Sequence, residues 1–156
     1  MVGDKRSARL TGGCQCGAVR YALTAAPRGS NICHCRMCQK AGGAPFMAYA
    51  GVPLADLVFT RGKLSNYASS DVAERGFCSA CGTSLTYRMF NRDRISVTIG
   101  SLDNPNAVAP KVQLGVEGKL HWVATLSSLP EMLSEEWMAG EKIETIHSNQ
   151  HPDHET

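Results

Sequence analysis

Seven cysteines in a chain of 156 residues fall into three tight groups. Cys14 and Cys16 lie in "GGCQCG", Cys33, Cys35 and Cys38 in "ICHCRMCQKAGG", and Cys78 and Cys81 in "GFCSACG". An odd number of cysteines grouped this closely does not read as a disulfide framework. Thiolates at these spacings are ligands for a soft metal such as zinc. Cys78 and Cys81 form a C-x2-C knuckle, where a tight turn brings two sulfurs to one tetrahedral edge and Gly82 supplies the backbone freedom the turn needs. Cys14 and Cys16 form a second half site, their side chains on one side of an extended segment because strands alternate with period two. The two halves together make a closed four-sulfur site that staples the start of the domain to its middle. Other groupings strand a half site or split a local pair.

The triplet is then left with three sulfurs. A structural zinc is closed by four protein ligands, whereas a reactive one keeps a position open, so Cys33, Cys35 and Cys38 predict an open site for something that comes and goes. Two other readings stay open on the residues alone. His34 could be a fourth ligand, although its place between two ligating cysteines is expected to point it away. The triplet could also be three buried thiols without metal, although so polar a stretch suits a core strand poorly. Gly42 and Gly43 read either as a turn into "APFMAYA" or as a close backbone approach to a ligand. Phe46, Phe77 and Trp122 read as core or site-wall aromatics.

The elements that must position these groups read as short strands broken by Gly, Pro, Asn and Asp. "AVRYAL" (18–23) sets Val19, Tyr21 and Leu23 on one face, and "RISVTIG" (94–100) sets Ile95, Val97 and Ile99 against Ser96 and Thr98. "FMAYA" (46–50), "DLVF" (56–59) and "KVQLGV" (111–116) are further strands, while "NYASSDVAERGF" (66–77) is an edge strand, a turn at Asp71 and a return strand. Helical spacing is confined to "LPEMLSEEWM" (129–138), through Leu129, Met132, Leu133 and Trp137. The expectation is a mainly β fold of antiparallel sheets with a short C-terminal helix. It divides into an N-terminal extension at 1–9, a domain at 10–140 and a disordered tail at 141–156, where His147, His151 and His154 are solvated.

The length fits one domain with its own core. A formal net charge of +2 is far from the basic stripe of a nucleic-acid binder. The first ten residues hold no apolar signal region, and no stretch approaches the roughly 18 consecutive apolar residues of a membrane span. A soluble, cytoplasmic protein with reduced thiols is expected, with no nucleic-acid or membrane partner.

"GGCQCGAVRY", "CHCRMCQKAGGAPF" and "GFCSACGTSL" together resemble the three-part signature of the glutathione-dependent formaldehyde-activating enzyme family, whose domain also occurs in centromere protein V. Flanking residues Gly17, Lys40, Gly43, Phe46, Phe77, Gly82 and Leu85 agree, and the resemblance covers roughly residues 10–125. It implies a zinc-containing β-tent fold with two Zn2+ per chain. A structural zinc would sit on Cys14, Cys16, Cys78 and Cys81, and a second zinc, the substrate site, on Cys33, Cys35 and Cys38. It further implies carbon–sulfur lyase chemistry with glutathione as co-substrate: a thiolate adds to formaldehyde to give S-hydroxymethylglutathione, or the adduct is cleaved. Zn2+ on three thiolates is already net negative, so a fourth thiolate needs compensating donors; backbone N–H groups near the glycines, Arg36 and Lys40 are candidates. His121 is a candidate acid toward the hydroxymethyl oxygen.

The C-terminal half departs from the family pattern. Where relatives show His-Ile-x-Val and then Ser-Lys-x-Pro-Trp, this chain has "QLGVEGKLHW" (113–122), with Gln113 in the histidine's place and His121 in the proline's. The departure leaves the cysteines intact and puts the thiol-selecting pocket in question. The alternative function is a non-catalytic zinc-binding interaction module of the same fold. A redox role for Cys78 and Cys81 lacks the βαβ context it would need.

Overall fold

The computed structural model describes residues 10–155, so the expected extension at 1–9 and the last residue, Thr156, lie outside the described residues. Among the described residues the strands are β1 (Leu10–Gly13), β2 (Arg20–Leu23), β3 (Gly29–Cys33), β4 (Met47–Pro53), β5 (Leu57–Arg61), β6 (Ser65–Ala68), β7 (Ala73–Phe77), β8 (Ser84–Met89), β9 (Arg94–Thr98) and β10 (Val112–Leu114). Two short α-helices join them, α1 (Arg36–Gly42) and α2 (Ser134–Gly140). One sheet has the order β1-β2-β5 and the larger one β10-β3-β4-β9-β8-β7-β6. The architecture is mainly β, as the strand rhythm of the sequence implies.

Period-two alternation explains how the larger sheet serves both a core and a site. Ala50 and Val52 of β4, Leu85 of β8, and Ile95 and Val97 of β9 turn into the core, where they meet Tyr21 and Leu23 of the smaller sheet. Burying each large aliphatic side chain stabilises the fold by about 1.5–3 kcal/mol. The intervening residues face the other way. Ladder pairing aligns them in rows: Gly29 with Gly51, Gly51 with Ser96, Ser96 with Tyr87, and Tyr87 with Arg75. A neighbouring row joins Asn31, Tyr49 and Thr98.

Several local features differ from the sequence expectation. β10 joins β3 in parallel, pairing Val112 with Asn31 and Leu114 with Cys33, within an otherwise antiparallel sheet. Residues of β2 are buried on both faces, because Arg20 is covered by its bidentate bond to Asp103, at 2.8 and 2.6 Å. Cys14 and Cys16 sit on a turn after β1 rather than on a strand, the Gly17 amide donating back to the Cys14 carbonyl at 3.0 Å. The α2 helix starts later than its apolar spacing suggests. Its start is capped by Glu136, whose carboxylate accepts from the Leu133 amide at 2.9 Å, and Leu129, Met132 and Leu133 precede it as exposed side chains. Trp122 is 43% exposed in the 3-10 segment His121–Ser128, so it is not a core aromatic.

α1 was not foreseen, since the triplet's own spacing masks the helical period. It ends at Gly43, whose φ of 59° is the left-handed cap that closes the helix. That serves the turn reading of the glycine pair; at Gly42 a side chain would run into the sulfur of Met47. Residues beyond Gly140 carry no helix or strand up to residue 155. They nevertheless touch the domain: the His151 amide donates to the Gln15 carbonyl at 2.7 Å, and Arg20 donates to the His154 carbonyl at 3.0 Å.

Candidate functional site

The first cysteine cluster is assembled by two matching turns. Gly17 (φ 74°) follows Cys16 and Gly82 (φ 77°) follows Cys81, each in the left-handed region that a side chain would strain. The Gly82 amide donates to the Cys78 carbonyl at 2.8 Å. These turns bring the sulfurs of Cys14, Cys16, Cys78 and Cys81 within 4.8 Å of one another. Cys14 and Cys16 are 3.6 Å apart and Cys16 and Cys78 3.8 Å. A tetrahedral zinc with bonds of about 2.3 Å sets its sulfurs about 3.8 Å apart, so the four fit that metal. The Val19 amide donates to the Cys14 sulfur at 3.2 Å. Burial raises the Cys81 thiol, but hydrogen bonds from the Thr83 hydroxyl and amide and from the Cys16 amide outweigh it and bring the pKa down to about 6. That thiol is therefore ready to ligate at neutral pH.

The second cluster straddles a strand end and a helix start. Cys33 closes β3, Cys35 is the residue before α1, and Cys38 lies in its first turn, where i and i+3 share a face with Cys35. The three sulfurs lie within 4.8 Å of one another, Cys33 and Cys35 at 3.4 Å, and His34 supplies no atom to the group. Burial, with smaller contributions from the neighbouring thiols, pushes Cys33 up to about 12. Cys35 goes the other way: burial would raise it, but the Cys38 amide, the Cys33 and Cys38 thiols and the Met37 amide together lower it. An all-sulfur donor set at these separations suits the same soft metal, with one tetrahedral position left over.

His34 turns from the sulfurs into the protein. It is 1% exposed, its Nε2 is 2.9 Å from Oε1 of Gln113, and its ring meets Phe46 edge-on at 5.5 Å between centroids. Gln113 also accepts from Lys119 Nζ at 3.2 Å. The residue that departs from the family pattern thus ties β10 to the loop between the ligating cysteines.

Beside the triplet lies a cavity of about 300 Å3, walled by Cys33, Cys35, Cys38, Tyr49, Arg75 and Tyr87 among others. Arg75 is 5% exposed. Its Nη2 donates to the Cys38 sulfur at 3.4 Å and its Nη1 to the Tyr49 hydroxyl at 2.8 Å, and its guanidinium lies over the Tyr87 ring at 5.0 Å. Among the described residues no carboxylate pairs with it. Burial opposes the Arg75 charge, but the Cys38 and Tyr49 contacts more than offset it and raise its pKa.

Of the sequence-predicted site residues, all seven cysteines come together in their two groups. Arg36, Lys40 and His121 do not join them. Arg36 is exposed and donates to Gln39 Oε1 at 3.3 Å, Lys40 is exposed in the last turn of α1, and His121 is exposed at the start of segment 121–128; none walls the cavity. Sequence reasoning missed Arg75 and Tyr49. The available signal was a charged residue at an alternating position inside "VAERGF", a strand otherwise leading straight to Cys78.

These features define a class: a mainly β protein built around two cysteine clusters able to hold metal ions, one closed and one open beside a cavity. The chain belongs to the family of the glutathione-dependent formaldehyde-activating enzyme, whose family model matches residues 9–117. It is 34% identical over 80 residues to an uncharacterized lyase of Schizosaccharomyces pombe, across 51% of this chain and 58% of that protein. The chain thus spans under two thirds of that relative's length. A crystal structure of a Rhodobacter sphaeroides protein shares the fold with a TM-score of 0.51 at 26% identity, covering 66% of this chain and 98% of that one. Among the described residues no helix is long and apolar enough to cross a membrane.

Proposed function

We propose that this chain is a zinc-dependent carbon–sulfur lyase acting on a glutathione–aldehyde conjugate such as S-hydroxymethylglutathione. Cys33, Cys35 and Cys38 hold the reactive zinc, and Cys14, Cys16, Cys78 and Cys81 a structural one. The observation that carries the reading is a three-sulfur cluster opening onto a cavity whose wall contains a buried arginine with no carboxylate partner among the described residues. The family match and the lyase named among the relatives support the reaction class.

A zinc on the triplet would lower the pKa of an incoming thiol and so favour its nucleophilic form near neutral pH. Arg75 supplies the positive charge that three thiolates and a further sulfur require, at the Cys38 end of the cluster. Tyr49 fixes the guanidinium by accepting a hydrogen bond from its Nη1, and Tyr87 carries it on its ring face. Met37, Met89 and Leu114 add apolar side chains to the wall of the cavity beside the sulfurs. In the cleavage direction the carbon–sulfur bond breaks with its electron pair kept by sulfur, the hydroxyl proton passes to solvent, and formaldehyde leaves. Every described cysteine is a free thiol, which suits a reducing compartment such as the cytoplasm.

The test is magnetisation-exchange NMR of 13C-formaldehyde with glutathione, run beside metal analysis and zinc-edge X-ray absorption. The wild type is expected to hold about two zinc ions per chain, to gain sulfur coordination with glutathione and to accelerate exchange. Cys35→Ser is expected to lose the gain and the acceleration together. Full zinc occupancy with no response to glutathione would sink the lyase reading and leave the non-catalytic zinc-binding module in its place.

A further inference from the structure

The cavity at the triplet continues across the open face of the larger sheet. Asn31 and Ser96 line it, and they also line a second cavity of about 400 Å3 whose walls add Gly29, Gly51, Arg94 and Lys111. A third hollow beside Tyr87 and Ser96 adds Arg92. The trough therefore runs from sulfur at one end to three cations at the other. Its direction follows from the ladder: Cys33, Asn31 and Gly29 alternate along β3, and Gly29 pairs Gly51, which pairs Ser96.

Arg94 reaches back over this floor because the floor is glycine. A side chain at Gly51 would place its Cβ 2.9 Å from Arg94 Nη2, and one at Gly29 would place it 3.5 Å away. One nitrogen of the guanidinium, Nη2, thus lies over the backbone of β4 and β3 while the residue stays exposed to an incoming ligand. Among the described residues no carboxylate pairs with Arg94, Arg92 or Lys111; Asp93, between the two arginines in the chain, pairs with neither. An unpaired planar guanidinium held at the end of a trough is a fork for a carboxylate.

We infer that Arg94, flanked by Lys111 and Arg92, is a carboxylate-binding subsite that selects acidic peptide thiols over small neutral ones. The inference rests on the proposed function for its sulfur end and deepens it by naming what the other end reads. Four residues of β3 separate Cys33 from Gly29, about 13 Å at about 3.3 Å per residue. The thiol of glutathione sits on its central residue, eight bonds or about 10 Å in extended form from its γ-glutamyl carboxylate, and a hydrogen bond of about 3 Å then brings that carboxylate within reach of Arg94. Ser96 and Asn31, between the ends, offer hydrogen bonds to the peptide's amides. Neutral thiols such as 2-mercaptoethanol fill the sulfur end alone.

The experiment uses S-methylglutathione, which has the carboxylates and no free thiol, and its dimethyl ester, titrated calorimetrically into the metal-loaded wild type, Arg94→Ala and Arg94→Lys. The wild type is expected to bind the acid about tenfold more tightly than the diester, as for a hydrogen bond to a charged group. Arg94→Ala is expected to bring that ratio near unity, with Arg94→Lys between. Equal affinities in the wild type, no measurable binding of the acid, or an unchanged ratio in Arg94→Ala would overturn the subsite. The formaldehyde-exchange measurement reads the other proposal separately. Discrimination without exchange keeps the subsite and removes the lyase; exchange without discrimination does the reverse.

Discussion

Each cysteine cluster has a buried arginine nearby, and the two arginines are treated in opposite ways. Arg20, lining the same hollow as Cys14, is clamped by Asp103 through two hydrogen bonds of 2.8 and 2.6 Å, and Thr11 holds the carboxylate in turn. Its charge is neutralised on the spot. Arg75, beside Cys38, meets a sulfur, a phenol oxygen and a ring face, and among the described residues no carboxylate. A buried cation left without a counter-ion is costly unless something negative shares its site. Charge thus distinguishes the clusters as sharply as sulfur count does: one is complete and surrounded by satisfied partners, the other has positive charge to spare for a ligand.

The largest expected effect comes from cutting one sulfur from each cluster. Cys81→Ser breaks the link between the knuckle and the turn after β1, which lies 62 residues away in the Cys16–Cys78 contact. If that cluster holds structural zinc, the variant loses more than about 5 kcal/mol of folding free energy and is recovered unfolded or aggregated. Cys35→Ser should instead fold, with a thermal midpoint within a few degrees of wild type, and carry about one zinc where the wild type carries about two. Thermal melts followed by circular dichroism, with metal analysis, read both. Equal destabilisation would show that the open and closed clusters are alike in structural weight.

The two arginines give the next contrast. Asp103→Asn leaves Arg20 buried without its counter-charge and is expected to cost about 3 kcal/mol at neutral pH. Burial would raise the Asp103 carboxyl, but its bonds from Arg20 and Thr11 hold it below the usual range. A depressed folded-state pKa means that the pair's contribution is full above the ordinary carboxylate value and is lost as the pH falls through the folded one. Wild-type stability in urea should therefore drop below about pH 4, with a shallower drop in Asp103→Asn. Arg75→Met removes no carboxylate pair among the described residues, only the contacts to Cys38, Tyr49 and Tyr87. It deprives the Tyr49 hydroxyl of its donor at about 2 kcal/mol and should lose zinc from the triplet faster under a competing chelator. A variant that is destabilised but holds its second zinc as firmly as wild type would make Arg75 a packing residue only.

What was legible in the sequence follows the same division. The closed cluster could be read because a C-x2-C turn and its glycine are local, and local geometry needs no register. The triplet's sulfurs were legible for the same reason, but their neighbours were not. Arg36 and Lys40 sit close to the ligands in the chain, yet each is two residues from Cys38, about 200° around the helix axis, so the face that carries the sulfur passes them by. Arg75 arrives from 37 residues away, through the pairing of β7 with β8 and of β8 with β9. No pattern in "VAERGF" encodes that register. The parallel edge strand β10 was likewise readable as a strand but not in its direction, since alternation is the same either way. α2 was shifted because one capping carboxylate, Glu136, outweighed apolar spacing.

The smallest effect is a matched pair of glycines, and it isolates backbone from chemistry. Gly82 closes the knuckle and Gly43 closes α1 behind the triplet, with φ of 77° and 59°, and neither has a heavy atom within 4 Å of where a Cβ would stand. Alanine at either position therefore meets only backbone strain, about 1 kcal/mol, and the two variants should lose the same few degrees in a thermal melt. Their metal behaviour should differ. At Gly82 the strained residue adjoins Cys81 directly, so Gly82→Ala should release the closed cluster's metal faster. Gly43 lies five residues beyond Cys38 and turns only the exit of the helix, so Gly43→Ala should leave the triplet's hold on metal as it was. Equal stability loss with unequal metal release would place the closed site's firmness in its turns. Equal metal release would return it to the sulfurs alone.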